Sequence, residues 1–260
     1  MSNDPTADAV PDGPTSLPPL LAALDAADEA PCAAQLRARS YELLGIAAGT
    51  RLLDIGCGAG RAVAEAIRIG ADARGVDIDE GMIALARRRV PEARFDGGDA
   101  RRLPYPDASM DACRADKVLH NLANPAAAVA EARRVLVPGG RIALIGQDWD
   151  TIVIDAAGAE PTRTLVHARA DRVAAPRSAR GFRALLLDGG FHDVEVEVRT
   201  AVFTDDAVPP MLTGLAEAGH AAGRISRSDA DAWLGDQRER ALAGRAFVAV
   251  PMFLATGTRP

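Results

Sequence analysis

The stretch Leu52-Leu53-Asp54-Ile55-Gly56-Cys57-Gly58-Ala59-Gly60 decides the fold. It reads as a short buried strand running into a tight glycine turn, with a helix beginning near Arg61. Glycine suits such a turn because the chain must reverse sharply and bring bare backbone against a ligand. The pattern predicts a nucleotide-type cofactor site at the carboxyl end of the first strand of an α/β sheet. A structural strand–turn–helix without a ligand is the plainer alternative. Asp54 narrows the cofactor. A dinucleotide puts its pyrophosphate on the helix N-terminus, where a carboxylate in the mouth of the turn would repel it. The spacing is G-x-G-x-G, not the dinucleotide G-x-G-x-x-G. A ligand carrying an ammonium and a sulfonium, and no phosphate, would be drawn to the acid.

Outward from this stretch, strands and helices alternate. Strands are expected at residues 51–55, 73–77, 93–97, 110–115 and 141–146, with helices at 59–69, 80–89 and 125–136 between them. Connections of that length mean parallel pairing. Past Gln147 the rhythm loosens. Helices are expected at 162–173, 180–187, 211–222 and 229–242, the last capped by Ser226 or Ser228. A half-exposed strand is expected at 193–198 and a final one at 247–255. The predicted fold is α/β: a doubly wound, mostly parallel, Rossmann-like sheet of seven strands with an N-terminal helical cap and substrate-cap insertions. Residues 1–16 read as a disordered tail and 17–48 as the cap, where Leu17, Leu20, Leu21 and Leu24 form a helical stripe and Pro31 opens a second helix. That prelude either lids the cleft or packs on the sheet edge. Residues 49–260 form the main domain, with a cofactor half at 49–146 and a substrate half at 147–260.

Asp77 ends the second strand, roughly 20 residues past the glycine turn, where sheet folds of this kind hold ribose hydroxyls. Capping the next helix is the other role open to it, and Asp79 fits that role better. Ile78 and Met82 would then offer apolar surface to an adenine ring.

The glycine block resembles the first motif of class I S-adenosylmethionine-dependent methyltransferases. The resemblance covers residues 49–146, with four motifs in order. It is most similar to ubiquinone-type C-methyltransferases and to bacterial enzymes that tailor small natural products. It implies S-adenosylmethionine bound by the backbone of Gly56, Cys57, Gly58 and Gly60 and by Asp54 and Asp77. It also implies that Asp99-Ala100 reads adenine, with Arg101 beside the pair; a turn-stabilising aspartate is the alternative. The run 111–121 resembles the fourth motif, whose backbone, Asp116 included, lies under the methionine part and faces the substrate. The implied reaction is in-line displacement of the sulfonium methyl by an O, N or C nucleophile, releasing S-adenosylhomocysteine.

His120, beside that motif, is the candidate general base, against the reading of a packed or solvent-facing histidine. Arg114 and Asp116 either orient it, bind polar groups or pair with each other. Trp149 and Asp150 leave strand five at the same rim and suggest a wall for a flat or cationic acceptor. Equally, Trp149 could plug the space under the cap. His167 is the second candidate base. Two other classes stay open: a non-methylating binder of S-adenosylmethionine, catalytic or regulatory, and a nicotinamide oxidoreductase, against which Asp54 and the glycine spacing speak.

The chain has 260 residues, 48% of them hydrophobic and only 4% aromatic, so its core is built from Ala, Leu, Val and Ile. A net charge of −6 argues against nucleic acid as a main partner. Basic residues comprise 29 Arg and the single Lys117, a sign of coding bias. Three scattered cysteines, with no His pairing at metal spacing, suggest reduced thiols and no metal. No apolar run approaches bilayer length. The expectation is a cytoplasmic enzyme, monomeric or homodimeric, acting on a small molecule, with no nucleic-acid or membrane partner.

Overall fold

The computed structural model describes residues 31–204 and 208–260. The expected tail and the Leu17–Leu24 stripe lie outside the described residues. The first strand, β1 (Arg51–Ile55), alternates its side chains across the sheet. Leu52 joins the apolar cluster on one face and Leu53 with Ile55 the cluster on the other. Both leucines are fully buried, each contributing about 2 kcal/mol. Leu52 shares its face with α2 (Arg61–Ile69) and α3 (Glu80–Arg89), which supply Val63, Ala66, Ile83 and Ala86. Leu53 packs with α4 (Pro125–Val135) and α6 (Phe182–Asp188), through Val129, Ala132, Phe182 and Leu186.

The parallel part of the sheet adds β2 (Asp72–Asp77), β3 (Arg94–Gly97), β4 (Met110–Asp116) and β5 (Leu136–Gln147), in the order β3-β2-β1-β4-β5. The strand order therefore reverses between β1 and β4, and their carboxyl ends open a crevice there. Beyond β5 comes β8 (Val248–Thr258), antiparallel to it, and then β7 (His192–Phe203), antiparallel to β8. The two-residue β6 (Val153–Ile154) pairs with β8 past the end of its β5 register. It makes an eighth strand that the alternating pattern is too short to reveal.

Three helices, α5 (Ala159–Ala170), α7 (Val208–Ala221) and α8 (Arg227–Leu242), pack on the face that carries Leu52. Ser226 caps α8, accepting the Asp229 N–H at 3.1 Å. The indole N–H of Trp233 on α8 donates to Thr162 Oγ1 on α5 at 3.0 Å. The described part of the N-terminal prelude is α1 (Pro31–Leu44). It packs on the sheet, with Arg141 Nη1 donating to its Leu43 carbonyl at 3.0 Å and Tyr41 Oη bonding Glu65 of α2 at 3.0 Å. No helix among the described residues is long and apolar enough to cross a membrane.

Candidate functional site

The glycine turn is tied down from below. Gly56 and Cys57 both donate their N–H to the Val76 carbonyl of β2, at 2.7 and 3.1 Å. A Cβ at Gly56 would stand 2.3 Å from Val118 Cγ2, so packing alone requires glycine there. Gly58 is different. Its φ is +50°, yet a Cβ would meet nothing within 4 Å. Among the described residues nothing fills the space above this backbone. The Cys57 side chain points the other way, buried against Gly75. Burial pushes its thiol up, and only its backbone is left for a ligand.

Asp77, at the end of β2, buttresses the turn: its Oδ2 accepts the Gly58 N–H at 2.8 Å and its Oδ1 the Asp79 N–H at 3.0 Å. Asp79 is the cap of α3, accepting from Gly81 and Met82 at 2.8 and 3.0 Å. Asp77 is thereby released from capping and half-exposed at the rim. Beside it Ile78 is an apolar side chain 71% exposed, and Met82 is half-buried.

Asp54 departs from expectation. It lies directly opposite Arg114 in the β1–β4 register, and its Oδ1 accepts from Arg114 Nη1 at 2.9 Å. Both side chains are at most 3% exposed. The carboxylate therefore does not stand in the mouth of the turn, because burial at this depth demands a charged partner. Burial pushes Asp54 up, to about 6, with Arg114 pulling against it. The guanidinium also donates to Ser40 Oγ of α1 at 3.0 Å and to Asp116 Oδ2 at 2.7 Å. Asp116 Oδ1 is left buried, with no hydrogen-bond partner among the described residues. The acidic character that the sequence assigns to Asp54 emerges at Asp116, at the carboxyl end of β4. Lys117 follows at φ +59°, a strained conformation for a non-glycine residue, of the sort concentrated at functional sites.

Asp99 is taken up locally. It accepts the Arg101 N–H at 2.8 Å and Arg101 Nη2 at 2.7 Å, and this arginine holds the carboxyl below the usual range. The turn-stabilising reading describes these bonds, and Asp99, half-buried Ala100 and exposed Arg101 sit together just beyond β3.

The fourth group lies past β4 and β5. His120, in a 3₁₀ turn (Leu119–Asn121), is 9% exposed and meets the Trp149 ring edge-on at 5.5 Å. Residues 171–178 fold back to fix both: Ala175 N–H donates to the His120 carbonyl at 2.8 Å and Trp149 N–H to the Pro176 carbonyl at 3.1 Å. Burial, reinforced by Arg169 and Lys117, pushes His120 down to about 4, so it is neutral at pH 7. Asp150 pairs with Arg177, and fully buried Asp148 with Arg180, whose Nη2 lies 2.8 Å away. His167 faces solvent. The structure does not bring it to this group; Arg169, two residues on and so on another side of α5, stands over the Trp149 ring at 4.6 Å. Sequence reading missed Arg169 because it looked on that helix for a titrating base. Among the described residues no three His, Cys, Asp or Glu side chains come together as a metal site.

Residues 53–144 match the methyltransferase domain family, a segment that runs from within β1 to within β5. This segment is a methyltransferase domain, and its likeness is to the class I S-adenosylmethionine-dependent methyltransferases. It is 34% identical to the 27-O-demethylrifamycin SV methyltransferase of Amycolatopsis mediterranei over 63% of this chain and 61% of that protein. It is 38% identical to the demethylmenaquinone methyltransferase of Beutenbergia cavernae over 41% of this chain and 44% of that one. The chain thus spans less than two thirds of the length of these relatives. The YcgJ protein of Bacillus subtilis shares the fold, with a TM-score of 0.60 and 20% identity over 86% of this chain and 98% of that one. The Rossmann-like sheet is the mixed α/β arrangement expected from the sequence.

Proposed function

We propose that the protein transfers a methyl group from S-adenosylmethionine to an O, N or C nucleophile of a small molecule, of the secondary-metabolite kind. The observation that carries this is the open space above Gly58, bordered by Asp77 and by exposed Ile78. An added Cβ there meets no protein atom, so the glycine serves approach of a ligand more than packing. The orphaned Asp116 Oδ1 fits a cofactor with an ammonium group, and a buried carboxylate oxygen does not fit a pyrophosphate.

In this reading Asp77 holds the ribose hydroxyls, Ile78 and Met82 cover the adenine, and Asp99, Ala100 and Arg101 border its edge. The backbone of residues 56–60 carries the amino-acid part, and Asp116 accepts its ammonium. Asp54 acts through Arg114, fixing where Asp116 stands. When bound, the cofactor supplies a methyl group on a cationic sulfur, whose charge is neutralised on transfer. The chain's own contribution is to align the acceptor and exclude water. His120, neutral at pH 7 and with no hydrogen bond to its ring among the described residues, takes the proton of an acceptor that must lose one. Trp149 and Asp150 wall the acceptor side, and residues 147–260 supply the acceptor cap while 49–146 hold the cofactor. No metal is required by this displacement. The rifamycin relative supports a small-molecule acceptor, and the net charge of −6 suits a cytoplasmic enzyme without a nucleic-acid or membrane partner.

Incubation with methyl-labelled S-adenosylmethionine and candidate acceptors tests the reading. Label should move to a small molecule, and His120→Ala should lower turnover without weakening S-adenosylhomocysteine binding. Unchanged turnover removes the base role. Cofactor binding without transfer to any acceptor favours a non-methylating catalyst or binding module.

A further inference from the structure

Among the described residues, acids at the ends of β4, β5 and α5 are each matched by an arginine. Asp116 is held by Arg114, Asp148 by Arg180, Asp150 by Arg177, and Asp171, at the end of α5, by Arg224. Arg169 has no such partner among the described residues. Its guanidinium is half-buried over the indole face, 4.6 Å from the ring centroid, and no carboxylate among the described residues lies within ion-pair distance. Stacking on an indole at a helix C-terminus accounts for part of its placement. It does not supply acceptors for the guanidinium's donors, and a planar fork of N–H groups normally finds them when it is drawn from water. Burial and the neighbouring Arg172 both act against the charge, so the fold tolerates an unmatched cation here.

A second orphan lies at the same place. The Trp149 indole N–H is buried with no hydrogen-bond acceptor among the described residues. His120, edge-on to the same ring, brings no negative charge to the group. Two unmatched donors, one of them cationic, therefore flank the candidate acceptor side of the crevice.

We infer that Arg169 is a specificity residue for an acceptor bearing a carboxylate or a similar oxyanion, which its guanidinium receives over Trp149. This rests on the proposed methyl transfer and names the class of acceptor. A charge-assisted bond from a partly desolvated arginine is strong enough to select such an acceptor over its neutral isostere. The same chemistry would suit the carboxylate of the cofactor's amino-acid part, and the two sources separate by experiment.

The full chain saturated with S-adenosylhomocysteine is titrated at low ionic strength with benzoate and with benzamide, followed by ligand-observed NMR. The two probes share a ring and differ in charge. Benzoate is expected to bind at least about tenfold tighter. Arg169→Gln should bring both to the same level while S-adenosylhomocysteine affinity stays within about twofold, and Arg169→Lys should keep part of the preference. Equal binding of the two probes, no binding of benzoate, or an undiminished preference in Arg169→Gln overturns the inference. A loss of S-adenosylhomocysteine affinity of about tenfold or more in Arg169→Gln overturns it too, by assigning the guanidinium to the cofactor. Failure of wild type to bind S-adenosylhomocysteine at all defeats the proposed function instead, and benzoate selectivity without it still reports on Arg169.

Discussion

Asp54 and Arg114 face each other across β1 and β4, Oδ1 2.9 Å from Nη1, with neither side chain more than 3% exposed. Arg114 reaches Asp116 as well, at 2.7 Å. One buried cation thus holds two acids at the strand ends where the sheet reverses, with Asp116 Oδ1 buried and without a hydrogen-bond partner among the described residues. The arrangement converts an acid in the glycine motif into a support for an acid on the next strand.

Removing the cation should be severe. Arg114→Met leaves Asp54 and Asp116 without their partner and should cost about 3–5 kcal/mol in denaturant unfolding, the range for a broken buried pair. Adding Asp54→Leu to that variant should recover part of the loss, since a buried charge goes with it. A single-variant cost below about 1 kcal/mol contradicts the pairing.

The two loop glycines should behave oppositely. Gly56→Ala drives a Cβ into Val118 and should fail chiefly in stability, by about 2 kcal/mol or more. Gly58→Ala meets no protein atom. It should cost only about 1–2 kcal/mol for the left-handed backbone, while S-adenosylhomocysteine affinity in calorimetry falls by a larger factor than in any variant of equal stability. Retained affinity in Gly58→Ala counts against the loop as the site.

His120 supplies a pH signature. The folded protein holds it neutral down to about pH 4, whereas an unfolded histidine binds its proton near 6.5. Below 6.5 the unfolded chain therefore takes up more protons, and stability falls as the pH drops from 6.5 to about 4. At about 1.4 kcal/mol per pH unit the loss approaches about 3 kcal/mol. Asp54, pushed up to about 6, acts in the opposite sense over nearly the same window. The comparison to make is therefore between proteins. His120→Asn should gain up to about 3 kcal/mol on wild type between pH 7 and pH 4 in parallel urea titrations. A pH-independent difference contradicts burial of a neutral His120.

Much of this was legible in the sequence because local signals and tertiary structure agree. β1 at 51–55 and α3 at 80–89 fall where strand pattern, glycine turn and Asp79 cap all point. β5 is longer than its apolar run, because Pro138-Gly139-Gly140 looks like a turn. In the fold Gly139 N–H bonds the Arg259 carbonyl and Arg259 N–H the Gly140 carbonyl, both at 2.8 Å, a pairing supplied by the far end of the chain. The position of Asp54 was legible and its environment was not, since an arginine 60 residues away in sequence decides whether the acid faces a ligand or the core. Arg169 carries no local signal either: its place over the Trp149 ring and the absence of an ion-pair partner among the described residues are set by tertiary structure.

The proposed function stands or falls with reception of S-adenosylmethionine by the turn at residues 56–60. Isothermal titration of the full chain with S-adenosylhomocysteine and, separately, with NAD⁺ tests it most directly. One-to-one binding of S-adenosylhomocysteine, lost in Gly58→Val, and no binding of NAD⁺ are expected. Binding of NAD⁺ with none of S-adenosylhomocysteine, or S-adenosylhomocysteine affinity that survives Gly58→Val, contradicts it.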